Sequence, residues 1–235
     1  GLAREDADGA RLADPCHAHA VTVPGACAGW CDMLARHGTF GIAEALAPAI
    51  RLAEEGFPVA PLTSYHWGRG AEGVLAQAYG GRALTIDGRG PRPGEVFRNP
   101  GLARTFREVA AGGAAAFYRG TVARDLASAV QRSGGAMTVD DLAAHRSTWD
   151  EPISVGYRGV RVWECPPNGQ GLAALIALGI LDGLDLAALP ALSADRWHLV
   201  VEAVRLAFAD AIAFVADPSA SAVPVAGLLA AEYLA

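Results

Sequence analysis

Five side chains near the start of this sequence are of types that ligate metals: Cys16, His17, His19, Cys27 and Cys31, the last two one helical turn apart. Structural zinc sites use tighter paired knuckles such as C-x2-C, and no second pair stands nearby. Buried or idle thiols are the expectation, and no metal ligand is assigned. A second candidate lies at 160–174. There Gly169, Gly171 and Ala174 satisfy G-x-G-x-x-A between an expected strand and an apolar helix, the pattern that brings a dinucleotide pyrophosphate to a helix N-terminus. Pro166 and Pro167 stiffen that approach. The acids that follow, Asp182 and Asp185, sit in a helix-ending segment and not at the tip of a second strand, so no cofactor and no cofactor-binding residue is assigned.

Nucleophilic chemistry finds no better footing. A serine elbow would require G-x-S-x-G, which does not occur. Ser133, before Gly134 and Gly135, suits a helix C-terminus. Asp140 and Asp141 suit a cap and helix-dipole role, and Glu54 and Glu55 a solvated face. His198 and Glu202 are one turn apart and could pair, which is a structural gain only. Cys165 follows a strand and is expected to be a small core residue. No catalytic residue is assigned.

The elements around these residues are legible in places. Leu46, Ala49, Ile50 and Ala53 recur at helical spacing before Gly56, which suits a left-handed helix stop, and Pro58 prevents resumption. A helix is expected at 26–37, closed by Gly38, after a short β-prone piece at 21–23. Residues 60–100 are rich in Gly, Pro and Arg and predict loops with short helices at best. Leu102, Phe106, Val109 and Ala110 share one face, and Val122, Leu126, Ala129 and Val130 another. Thr138 and Asp141 fit a capping box. Ile153, Val155 and Tyr157 alternate into a turn at Arg158-Gly159, and Val160 and Val162 alternate away, predicting a β-hairpin. Residues 172–181 are apolar on nearly every side, as in a helix buried against a sheet. A last helix at about 196–215 is expected to bury Trp197, Val201, Val204, Phe208, Ala211 and Val215.

At 235 residues with 52% apolar content, the chain can bury a core. All nineteen basic residues are Arg, a composition that resembles coding bias more than function, and the net charge is -6. With no basic run, the footprint for a phosphate backbone is missing, so nucleic acid is not an expected partner. No apolar stretch approaches the roughly 20 residues of a membrane span, so no membrane association is expected. Four cysteines do not make a disulfide scaffold for this length; they suit a reducing compartment without requiring it, and the localisation is left open between cytoplasm and periplasm.

Many short phrases add a further signal, in order: Val23-Pro24-Gly25 with Gly29-Trp30; the helix ending Glu54-Glu55-Gly56-Phe57-Pro58; Phe97-Arg98-Asn99-Pro100; Ala116-Phe117-Tyr118 with Gly120; Gly134-Gly135; Asp141-Leu142-Ala143; Tyr157-Arg158-Gly159; Pro166-Pro167; Ala207-Phe208-Ala209-Asp210; and Asp217-Pro218. Together they resemble the large subunit of the gamma-glutamyltransferase family, self-processing N-terminal-nucleophile hydrolases that cleave and transfer gamma-glutamyl amides such as glutathione. At 168–170 the chain has Asn-Gly-Gln where the family usually has two serines before its glycines, which implies a divergent subgroup.

The resemblance implies an α+β fold: a helix-rich lobe plus a β-hairpin contributed to a four-layer αββα N-terminal-nucleophile hydrolase. The expected division is an irregular segment at 1–20, a helix-rich lobe at 21–150, and a hairpin with helices at 151–235 joining the central sandwich. It also implies a zymogen whose Thr nucleophile, freed by autocatalytic cleavage, lies downstream of the matched phrases, with the carboxylate-binding Arg upstream. The chain is thus expected to be a central fragment without its own catalytic centre. Its expected partners are the remaining large-subunit and small-subunit segments of the precursor and a small gamma-glutamyl substrate. A same-fold acylase, acting on a cephalosporin side chain or on poly-gamma-glutamate, and a non-catalytic scaffold lobe are the alternatives.

Overall fold

The computed structural model describes residues 18–235, which fall into two compact units that divide between residues 147 and 148. In the first, α1 (Ala26–His37), α2 (Ile42–Glu55), β1 (Phe57–Pro58), α3 (Pro61–Glu72), α4 (Val74–Gln77), β2 (Val96–Phe97), α5 (Pro100–Arg119), α6 (Thr121–Arg132) and α7 (Val139–Ala144) follow in order. The second holds β3 (Ile153–Tyr157), β4 (Val160–Glu164), α8 (Gly171–Asp182), α9 (Ala194–Phe214), α10 (Val225–Leu228) and α11 (Ala231–Leu234).

The core of the first unit gathers Cys27 and Ala28 of α1, Leu46 of α2, Val109 and Tyr118 of α5, Ala123 and Ala127 of α6 and Leu142 of α7. The predicted face of α2 therefore points inward; on α6 the buried row is Ala123 and Ala127, with the predicted Leu126 and Val130 half-buried against it, and on α5 Ala103 takes the buried place while Leu102 is exposed. Gly56 ends α2 with φ 88° and ψ 173°. That is a positive φ, as expected, but in the extended glycine-only region and not the left-handed helical one. The chain leaves α2 straight into β1, which pairs antiparallel with β2 through Phe57 and Phe97. Asn99 then caps α5, its Oδ1 accepting the Leu102 N–H at 3.0 Å, with Pro100 in the first turn, where its missing N–H costs nothing. α5 runs on past the predicted stretch and kinks at Gly113, where φ is 60°.

Two local expectations in this unit fail. Residues 21–23 lie outside any strand; a β-prone run has nothing to form without a partner. The loop-rich region contains α3, a helix of 12 residues. Its anchors are not an aliphatic stripe, so periodicity misses it. The Ser64 hydroxyl donates to the Pro91 carbonyl at 2.7 Å and the Trp67 indole N–H to the Leu84 carbonyl at 2.8 Å. The Trp67 ring packs edge-on against Phe97 at 4.6 Å. The loop over α3 is clamped by a bidentate Arg89–Glu95 pair at 2.7 and 2.8 Å, and that hydrogen-bonded guanidinium pulls the Glu95 carboxyl down to about 2. Its contribution is complete above the ordinary carboxylate range and lost as pH falls toward 2.

The second unit follows the predicted order. β3 and β4 form an antiparallel hairpin in the register Ile153–Glu164, Val155–Val162 and Tyr157–Val160. Its two-residue turn places both Arg158 (φ 49°) and Gly159 (φ 82°) at positive φ, matching the twist of the strands. The Arg158 N–H donates to Asp182 Oδ1 at 2.7 Å, tying the turn to the end of α8. Ile153 and Val155 lie on the face that meets α8, whose Leu172, Leu175 and Ile176 are fully buried.

The predicted face of α9 is the main error. Ala203 and Ala207 are buried, whereas Trp197, Val201, Val204 and Phe208 are exposed. Ala211 and Val215 do pack at the margin of the α8 cluster. Small residues win the buried row because they let two helices approach closely, a preference that hydrophobicity alone ranks the other way.

Candidate functional site

The turn between β4 and α8 holds the candidate dinucleotide pattern, and its surroundings give it a packing role. A Cβ on Gly171 would stand 2.8 Å from Glu164 Cβ and 3.1 Å from the Cys165 carbonyl oxygen, so glycine is needed where strand and helix meet. Around Gly169 there is open space. β4 is one strand of an antiparallel hairpin, and among the described residues no parallel strand follows α8. A Rossmann crossover is thus missing, and the glycine pattern lacks the context that gives it meaning. Asp182 receives the Arg158 N–H, and Asp185 accepts the Ala188 N–H at 3.3 Å. Both acids are structural.

The cysteines divide. Cys16 and His17 lie outside the described residues. Cys27 is buried beside the half-buried Cys31, and burial, reinforced by that neighbour, pushes its thiol up to about 11. Such a thiol is a poor nucleophile at neutral pH. Cys165 is exposed, contrary to expectation. It has the same strand parity as Arg161 and Trp163, which point away from α8. Among the described residues no group of three or more His, Cys, Asp or Glu side chains is placed to hold a metal ion.

The remaining candidates form local structural contacts. Thr138 and Asp141 complete the capping box of α7, with Thr138 Oγ1 accepting the Asp141 N–H at 3.1 Å and Asp141 Oδ2 accepting the Thr138 N–H at 2.8 Å. The Ser133 hydroxyl donates to the Ala129 carbonyl at 3.0 Å, at the end of α6. Glu54 is no idle surface acid: Arg107 of α5 holds it by both guanidinium nitrogens, pinning α5 to α2. Glu202 takes both its oxygens to Arg205, at 2.6 and 2.8 Å. Arg205 at i+3, and not His198, is the partner of that carboxylate.

One arrangement escaped the sequence. Gly25 precedes α1 and has no side chain to cap it. The cap comes from α5: Tyr118 accepts the Ala28 N–H at 3.1 Å and donates its hydroxyl proton to the Pro24 carbonyl at 2.6 Å. The Tyr118 ring stacks on His145 at 5.0 Å, and a Cβ on Gly25 would lie 3.3 Å from that imidazole. Burial raises the Tyr118 phenol above its ordinary value. The signal lay in two separated phrases, Val23-Pro24-Gly25 and Phe117-Tyr118, which meet only in the fold.

An open groove of about 980 Å³ runs past Val74, Gln77, Tyr79, Val130 and Arg132. Its cation is engaged, since Arg132 lies over the Tyr79 ring at 5.4 Å and donates to its hydroxyl. No helix among the described residues is long and apolar enough to cross a membrane.

Comparison with known proteins supplies the larger frame. The chain is 36% identical over 214 residues to the glutathione hydrolase-like YwrD proenzyme of Bacillus subtilis (strain 168), an alignment covering 91% of this chain and 41% of that protein. It superposes on the cephalosporin acylase of Bacillus halodurans with a TM-score of 0.82 and 42% identity, covering 91% of this chain and 41% of that one. On the gamma-glutamyltranspeptidase of Helicobacter pylori the TM-score is 0.87 at 27% identity, covering 98% and 67%. The chain thus spans about two fifths of the curated relative's length. Its helix-rich lobe and hairpin are those of the corresponding part of these N-terminal-nucleophile hydrolases. The sequence model of the gamma-glutamyltranspeptidase family matches residues 4–235, and the chain belongs to that family.

Proposed function

We propose that the parent of this chain cleaves or transfers gamma-glutamyl groups from amides such as glutathione, using a Thr nucleophile that self-cleavage exposes elsewhere in the same precursor. The family match over residues 4–235 carries this reading, and the proenzyme relative supports its processing step. In the proposed mechanism the Thr hydroxyl attacks the amide carbonyl while the Thr's own α-amine takes the proton. Oriented N–H donors hold the oxyanion. The amine departs with a proton, and water or an amino acid then accepts the acyl group. The contribution of residues 1–235 would be scaffolding, through the helical lobe and the hairpin, with the other segments of the precursor completing the site.

A second reading, an acylase acting on another amide, is favoured by the 42% identity to a cephalosporin acylase and by Asn168-Gly169-Gln170 in the proline-rich turn. Kinetics distinguish the two. The full-length protein should release chromophore from gamma-glutamyl-p-nitroanilide with a higher kcat/KM than from glutaryl-p-nitroanilide, and residues 1–235 alone should release none. The reverse preference would assign the acylase reading. Turnover of neither substrate by a protein that has split into two chains would overturn both.

A further inference from the structure

The turn between β4 and α8 carries the pair Asn168-Gly169, and both residues are exposed. Among the described residues the Asn168 carboxamide has no hydrogen-bond partner and the Gly169 N–H has no acceptor. Nothing stands within 4 Å of the place a Gly169 Cβ would take, so the backbone there is neither held nor hindered. A main-chain nitrogen one residue after an amide side chain can close a five-membered ring on it, and such an intramolecular attack needs only that the two groups be free to meet. Two other places show what restraint looks like. Asn99 is the only other asparagine of the chain, but Pro100 follows it with no N–H to give up, and the Asn99 Oδ1 is occupied by the Leu102 N–H at 3.0 Å. Asp182-Gly183 is the acid form of the same pair. There the Gly183 N–H donates to the Ile180 carbonyl at 3.3 Å, and Asp182 Oδ1 accepts the Arg158 N–H at 2.7 Å.

We infer that Asn168 is a self-modification site, at which the folded protein converts its own side-chain amide to an acid. The Gly169 nitrogen gives its proton to hydroxide and bonds to Asn168 Cγ. The Cγ–Nδ2 bond breaks as Nδ2 takes up a proton from water and leaves as ammonia, which closes a succinimide. Water then opens either carbonyl of the ring, giving Asp with the original main chain or isoaspartate with the chain running through the side-chain methylene. Nothing is oxidised or reduced, and water is the sole co-reactant. The product places a negative charge three residues ahead of Gly171, near the positive end of the α8 dipole, where an anion is favoured. The isoaspartate form also lengthens the main chain just before Gly171, whose missing Cβ already marks a close fit against Glu164 and Cys165.

Ageing the purified full-length protein at mildly alkaline pH tests this, with a sample taken at the start correcting for conversion during digestion. In the tryptic peptide 162–196, fragment ions that separate Asn168 from Gln170 should place the amide-to-acid mass gain at 168, in two chromatographically distinct products, while the peptide carrying Asn99 stays unchanged. The rate in the native protein should lie within about tenfold of that in guanidinium chloride, as for a site that reacts without opening. Gly169→Val meets no neighbour in the fold and should slow the native conversion at least about tenfold, because a β-branched side chain stiffens the backbone and crowds the attacking nitrogen. Native conversion more than about tenfold slower than in guanidinium chloride would overturn the proposal, since the turn would then be held against ring closure. So would an undiminished rate in Gly169→Val, because the main-chain nitrogen would not be the nucleophile.

Discussion

Ile176→Ala should lower the stability of the full-length protein by about 2 to 5 kcal/mol, the range for emptying a buried aliphatic site. Ile176 is fully buried at the centre of α8, in the cluster that Ala207 of α9, Leu228 of α10 and Leu234 of α11 complete, with Ile153 and Val155 of the hairpin packed against it. A two-stranded hairpin is marginal by itself. It depends on the helix beneath, so the cavity would loosen strands and helices together. Leu192→Ala, at an 87% exposed loop position, is the control and should stay within about 0.5 kcal/mol. Denaturant midpoints measure both. Equal losses would show that α8 is not the centre of the second unit.

Gly56→Val should be the most damaging change in the first unit, at about 2 kcal/mol or more. Its φ of 88° and ψ of 173° form a combination open essentially to glycine alone. A Cβ there would also meet Val96 Cγ1 at 2.5 Å and the Phe97 carbonyl oxygen at 2.7 Å, prising β1 from β2 just before the cap of α5. Gly29→Ala gives the contrast. Gly29 is inside α1 with nothing near its missing Cβ, and the substitution should stabilise by about 0.5 to 1 kcal/mol through helix propensity. If the two changes had the same sign, the special backbone at Gly56 would not be the cause.

Gly56 also shows what sequence can and cannot reveal. The stop was legible, because helical spacing ended at a Gly-x-Pro; the extended conformation was not, because it depends on a strand forty residues away. The same division runs through the molecule. The capping box at Thr138, the hairpin turn at Arg158-Gly159 and the buried α8 were local and readable. The burial of Ala203 and Ala207 in preference to Phe208 is a matter of how closely two helices approach, which no single helix encodes. α3 hangs from Ser64 and Trp67, whose partners lie 27 and 17 residues away. Tyr118 capping α1 spans 90 residues. The residue types alone also suggested dinucleotide and acid–base chemistry, and the geometry makes Gly171 a packing glycine, Asp141 part of a helix cap and Glu202 half of an ion pair. Ordered short phrases, and not site chemistry, pointed to the family.

If the parent of this chain is the proposed self-processing acyl-transfer enzyme, the mass of the purified full-length polypeptide will show it. Two chains are expected under denaturing conditions, the second beginning with Thr, and a single uncut, inactive chain when that Thr is replaced by Ala. A polypeptide that stays in one piece while cleaving gamma-glutamyl-p-nitroanilide would contradict the N-terminal-nucleophile mechanism.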